Sequence, residues 1–233
     1  MEYSFDWGTL ARGWPYLAQG MAMTLFLVAV AMVAGILLGT LLAIARVFGP
    51  KPVQVATAGY VNLFRSVPLI LTIFWFYFLL PPVLRMATGD PNLTVGGIYS
   101  AIAAFTLAES AYYCEIMRAG IGSVRNGQMH AALALGLTRW SALRYVVLPQ
   151  AFRNMTPSLI NQTVALLKDT SLVYVISLND FLGAATRLAQ RDGRLVEMYL
   201  FVAAVYLGLC SLGVWLVNFL QKRRTQAGVR SFS

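Results

Sequence analysis

Long uncharged, apolar stretches dominate the chain, separated by short groups of arginine and lysine. No charged residue falls between Arg12 and Arg46, and 21–45 is almost wholly apolar. A helix needs about 20 such residues to cross a hydrocarbon core, so this stretch predicts a membrane-spanning helix. The same reading predicts spans at about 59–80, 96–118, 154–177 and 197–220. The third carries Glu109 and Glu115 inside an apolar run. The fourth is the most interrupted, by Pro157, Asn161, Gln162, Lys168 and Asp169. The expected fold is an all-α integral membrane bundle of about five spans. An N-terminal segment, 1–19, precedes it and a basic tail, 221–233, follows.

Polar groups at membrane depth are costly and usually face protein or a water-filled cavity. Glu115 and Arg118 are three apart and share a helix face, which suits either a structural ion pair or a gate contact. Glu109 lies roughly two turns deeper and, with Asn161, Lys168 and Asp169, is a candidate for a translocation path. On the fourth span Asn154, Ser158, Asn161, Ala165 and Lys168 recur at three- and four-residue spacing, forming one largely polar stripe. Lipid cannot satisfy that stripe, so it faces a translocation path or another helix. Lys168 and Asp169 could also neutralise each other. The longest connection, 120–153, is too regular for a plain linker. Helix formers run over 129–137 with Gly136 as a stop. Thr138 can cap a second helix over 139–147, which Pro149 would end.

Composition supports the membrane reading: 58% of residues are apolar and only 12% charged, against about 25% charged in soluble domains. The net charge of +9 raises nucleic-acid binding, but the basic residues lie between apolar runs rather than in one solvated patch. Their distribution predicts orientation instead. Arg46, Lys51, Arg118, Arg125, Arg139, Arg144, Arg153, Lys222, Arg223, Arg224 and Arg230 would lie inside. Arg12, Arg85, Arg187, Arg191 and Arg194 would lie outside, with the N-terminus. Glu2 and Asp6 stand where a signal peptide would be basic. Cys114 and Cys210 sit in apolar runs and His130 is the lone histidine, so no metal site is expected. No Gly-x-x-x-x-Gly-Lys-Ser/Thr phosphate loop is present.

The stretch from Gly127 through His130, Ala131, Ala132 and Gly136, followed by Val147, Leu148, Pro149 and Arg153, resembles the EAA loop of bacterial ABC-importer permeases. The family usually has Glu where this chain has His130. Gly20 and Thr24, the run from Tyr60 through Arg65 to Pro68, the run from Ala111 through Glu115 and Arg118 to Gly120, and Leu167 to Leu172 resemble the polar amino-acid branch. The segments from Asp169 and from Ala189 to Tyr199 are similar to glutamate/aspartate import permeases. Together these matches cover about 20–220.

The resemblance implies a type I importer permease in the bacterial inner membrane that is not itself an enzyme. The loop would be a coupling helix that sits in a cleft of an ATPase dimer, which uses ATP and Mg while this chain binds no cofactor. A second permease copy or close relative would complete the path, and a periplasmic amino-acid-binding protein would deliver the cargo. Two rivals fare worse. A gradient-driven secondary transporter often shows inverted repeats, and none is found here. A non-transport scaffold would not need the polar stripe.

Overall fold

The computed structural model of the chain describes residues 5–229, with side chains up to Phe219. Glu2, Arg230 and the side chains of Lys222, Arg223 and Arg224 therefore lie outside the described residues. Every regular element among the described residues is a helix, in the order α1 (Gly8–Phe48), α2 (Lys51–Ser66), α3 (Leu69–Thr88), α4 (Gly97–Gly122), α5 (Asn126–Ala134) and α6 (Arg139–Ala142). A π-helical turn (Leu143–Val147) leads into α7 (Leu148–Asp169), and a 3-10 segment (Thr170–Ile176) leads towards α8 (Phe181–Asp192) and α9 (Leu195–Val229).

The first helix is the spine. At 1.5 Å per residue its 41 residues extend about 60 Å. Its inward face is a row at near-fourfold spacing: Gly13, Leu17, Gly20, Thr24, Leu27, Ala31, Gly35, Gly39 and Ala43. Small residues at these positions let another backbone approach closely, the usual means of joining helices in lipid. The near approach is real at Gly39, where an added Cβ would lie 2.8 Å from Tyr113 Cβ and 2.9 Å from the Ser110 carbonyl oxygen. At Gly20 it would lie 2.7 Å from the Asp180 carbonyl oxygen. Three apolar cores are stacked along this spine. Leu17 packs with Phe181, Leu188 and Met198 at the N-terminal end. Leu27 and Ala31 pack with Ile73, Phe105 and Leu166 in the middle. Ala43 packs with Val61, Cys114, Met117 and Met155 at the C-terminal end.

Among the described residues, α1, α3 and α9 (over Leu195–Phe219) are long and apolar enough to cross a membrane, and a fourth span exists if the pair Arg139–Ile176 and Phe181–Asp192, bent by 49°, counts as one. The central helix α4 has the length, at 26 residues, but carries Glu109, Glu115 and Arg118. It can do so because the rest of the bundle encloses it, with Ala104, Phe105, Ala108, Ala111, Tyr113 and Cys114 all buried.

The structure differs from the sequence pattern in three places. Residues 8–19 of the N-terminal segment are not a separate extension but the first turns of α1, with Thr9, Gly13 and Leu17 buried. The expected span 59–80 is two helices, because Pro68 forces Val67 into an extended conformation (φ −91°, ψ 132°). Pro149 does not end a helix. It stands in the first turn of α7, where a missing N–H is tolerated. Just before it, the Leu148 N–H reaches back to the Leu143 carbonyl, closing the π turn.

The end of α8 is pinned to α1. Asp180 caps α8 by accepting from the Gly183 and Leu182 N–H groups at 2.9 and 3.2 Å. The next N–H, of Phe181, donates to Thr24 Oγ1 at 3.0 Å. Near the chain's start, the fully buried Glu197 accepts from the Asp6 N–H at 3.1 Å. Arg191 pairs with its neighbour Asp192 at 2.6 Å, and Arg194 lies 3.5 Å from Glu197.

Candidate functional site

The 120–153 connection folds as a short helix, a glycine corner and a second helical stretch. Gly136 adopts φ +83°, a left-handed conformation that costs other L-residues about 1–2 kcal/mol. Its N–H bonds the Leu133 carbonyl at 3.0 Å and the Leu137 N–H bonds that of Ala132 at 3.1 Å, closing α5 with its carbonyls satisfied. Thr138 then caps α6, its Oγ1 accepting from the Ser141 N–H at 3.2 Å. Open space surrounds Gly136, so backbone conformation rather than side-chain size governs this corner. We expect Gly136→Asn to keep most transport activity and Gly136→Val to lose most of it at normal membrane levels; an uptake assay with immunoblotting checks this.

The connection is tied to the bundle from both ends. Gln150 Nε2 donates to Gln128 Oε1 at 3.3 Å, joining α7 to α5. Asn154 Nδ2 donates to Ser123 Oγ at 2.8 Å, joining α7 to the end of α4. Ala132 is buried and Leu148 half-buried, while His130, Ala131, Gly136 and Pro149 are exposed. Leu135, Trp140 and Tyr145 are 84%, 68% and 67% exposed. Apolar side chains this bare beside Arg139 and Arg144 form a surface suited to a partner.

The Glu115 carboxylate is a hub. Arg118 reaches Oε2 at 2.8 Å from the same helix, as the three-residue spacing predicts. Arg46 of α1 contacts Oε1, and Arg65 of α2 comes within 4.0 Å of it. The guanidinium of Arg65 also stacks over Tyr112 at 5.6 Å. One half-buried carboxylate thus fastens three helices. Arg46 and Arg65 have no sequence signal beyond their place at span ends, because they lie 69 and 50 positions from Glu115.

The α7 stripe has an unambiguous direction. Asn154, Ser158, Asn161 and Lys168 are exposed while Ala151, Met155 and Leu166, on the adjoining face, are buried. The chain therefore turns a polar face away from its own body. Lys168 enters no ion pair with the half-buried Asp169. Glu109 does not share that face. It is 1% exposed, enclosed between α1, α4 and α7, and accepts from Gln162 Nε2 at 3.1 and 3.2 Å. Gln162, which interrupted the apolar pattern without an assigned role, is thus the half-buried partner of this carboxylate.

Over residues 35–226 the chain matches the family described as binding-protein-dependent transport system inner membrane component. It is 44% identical over 221 residues to the glutamate/aspartate import permease protein GltK of Escherichia coli O157:H7, covering 95% of this chain and 99% of that protein. It is 32% identical over 219 residues to the glutamine transport system permease protein GlnP of Escherichia coli K12, covering 94% and 97%. A crystal structure of an amino acid ABC transporter with histidines aligns with a TM-score of 0.84 at 29% identity, over 95% of this chain and all of that one. With a resemblance that runs from end to end and an all-helical fold in agreement, the chain belongs to the binding-protein-dependent inner membrane components, the multi-pass permease subunits of ABC importers, whose ATPase is a separate subunit.

Proposed function

We propose that this chain builds one half of the translocation path of an importer for acidic amino acids, glutamate and aspartate. The observation that carries the reading is the exposed polar stripe of α7 with Lys168 as its cation. Lipid cannot satisfy such a face, so a second permease copy or close relative covers it and the cargo passes between. Asn161 and Lys168 line the path, and Lys168 attracts a cargo carboxylate. Asp169 and Glu109 stand behind that lining and set its charge. The 44% identity to a glutamate/aspartate import permease supports the choice of cargo.

In this reading the N-terminus faces the periplasm, where a binding protein delivers the amino acid, and the C-terminus faces the cytoplasm. The segment holding His130, Ala131, Ala132, Gly136, Leu148 and Pro149 seats in the ATPase dimer, which binds ATP and Mg. Closure of the ATPases moves α7 through its bonds to this segment. Glu115 and Arg118 hold the cytoplasmic ends of α1, α2 and α4 together while it moves.

Radiolabelled glutamate uptake in cells lacking the gene tests the reading. We expect uptake to be lost, restored by the wild-type gene and competed by aspartate but not by glutamine or histidine. Lys168→Met should lower the restored rate roughly tenfold, the weight of one charge-assisted contact. Undiminished glutamate uptake without the gene would remove the cargo assignment, and an unaltered rate in Lys168→Met would remove Lys168 from the path.

A further inference from the structure

At the C-terminal end of α1 a cavity of about 650 Å³ lies between the first span and the coupling segment. Ile44, Phe48, Leu133, Trp140 and Leu143 make its walls apolar, while Arg139 and His130 stand at its edge. A smaller cavity of about 130 Å³ shares Ile44, Phe48, Trp140 and Leu143 and continues along α1 to Thr40. Phe48 ends α1, three residues past the apolar stretch 21–45, so the larger cavity lies at the C-terminal edge of that expected span.

We propose that this cavity binds an anionic phospholipid, with an acyl chain along α1 and its phosphate on Arg139. Charge argues for the sign of the headgroup. Between Arg118, which pairs with Glu115, and Lys168, at the far end of α7, the chain has no carboxylate and four cations, Arg125, Arg139, Arg144 and Arg153. Arg139 enters none of the ion pairs among the described residues. Basic pockets beside membrane helices are suited to anionic headgroups. His130 matters for the same reason. A carboxylate at this position would repel a phosphate. Trp140, exposed beside Arg139, is the residue type that settles at the headgroup level. The lipid would brace the coupling segment against α1, a role separate from cargo and independent of which amino acid is carried.

Native mass spectrometry of the assembled permease–ATPase complex, with phosphatidylglycerol and phosphatidylcholine of identical chains, tests the site. Phosphatidylglycerol should be retained at collision energies that strip phosphatidylcholine. Arg139→Gln should lower its retention about fivefold, the weight of one interfacial cation. His130→Glu, which leaves the apolar walls intact and puts a carboxylate at the rim, should lower it at least as much. The ATPase content of the same spectra shows that each variant assembles. Equal retention of both lipids by the wild type, or phosphatidylglycerol retention unchanged in both variants, overturns the proposal. So does binding that occurs only after the ATPase is stripped away, since a protein segment would then be the occupant.

Discussion

Gly39→Leu should abolish uptake and leave little assembled complex in the membrane. The Cβ alone would stand 2.8 Å from Tyr113 Cβ, 2.9 Å from the Ser110 carbonyl oxygen and 3.0 Å from the Cys114 nitrogen. Two of those neighbours are backbone, so no rotamer change relieves the clash. The contact joins the spine to the central helix, and forcing them apart opens the core around Ala43 and Cys114. Overpacking of this kind costs about 1–3 kcal/mol for one added carbon, which is the expectation for Gly39→Ala. Leucine exceeds it. Gly59, by contrast, has open space around it, so Gly59→Ala should be neutral or gain up to about 1 kcal/mol of helix propensity. Immunoblots of membranes and thermal melting of the purified complex check all three. A Gly39→Leu complex that melts like the wild type would show that α1 and α4 do not meet as described.

Glu115→Ala should be nearly as damaging, for an electrostatic reason. The carboxylate is 16% exposed and faces three guanidiniums, of which Arg46 is itself only 20% exposed. Removing it leaves an enclosed arginine without its counter-charge and two more arginines nearby, at a cost of about 3 kcal/mol. Arg118 is 45% exposed, and water screens its pairing, so Arg118→Ala alone should cost no more than about 1 kcal/mol. Arg46→Ala combined with Glu115→Ala should recover part of the single-variant loss, because the stranded charge is removed with its partner. Melting temperatures of the wild type, Arg46→Ala, Glu115→Ala and the double variant give the coupling directly. Additive losses would mean that Arg46 and Glu115 act independently.

The two cases show what could be read from the chain before its fold. The small-residue row on α1 is visible at four-residue spacing, but nothing in the pattern says that Gly39 meets Tyr113 rather than another helix. The Glu115–Arg118 pair follows from helix periodicity, whereas Arg46 and Arg65 join it only through tertiary contact. The α7 stripe was legible for the same reason as Arg118: helical spacing collects residues on one face. Its exposure was not, since that depends on which side the chain's own helices cover. Glu109 and Gln162 meet across two helices 53 positions apart, beyond any local rule. The break at Pro68 was legible in principle, but an apolar run that continues on both sides masks it. Pro149 misled in the other direction, because a proline reads as a stop unless the preceding backbone can absorb its missing donor.

The π turn at Leu143–Val147 has a geometric consequence of its own. Its closing bond spans five residues rather than four, so α6 and α7 are out of phase by one residue, about 100° of azimuth and 1.5 Å of rise. Deleting one residue inside the turn would turn it into ordinary α-helix without breaking the chain's hydrogen-bond ladder. The same deletion would swing the whole segment from His130 to Trp140 around the axis of α7. Ladder continuity and azimuth are thus separable at this joint, and a family that gains or loses a single residue here re-aims its docking surface while keeping its membrane helices in place.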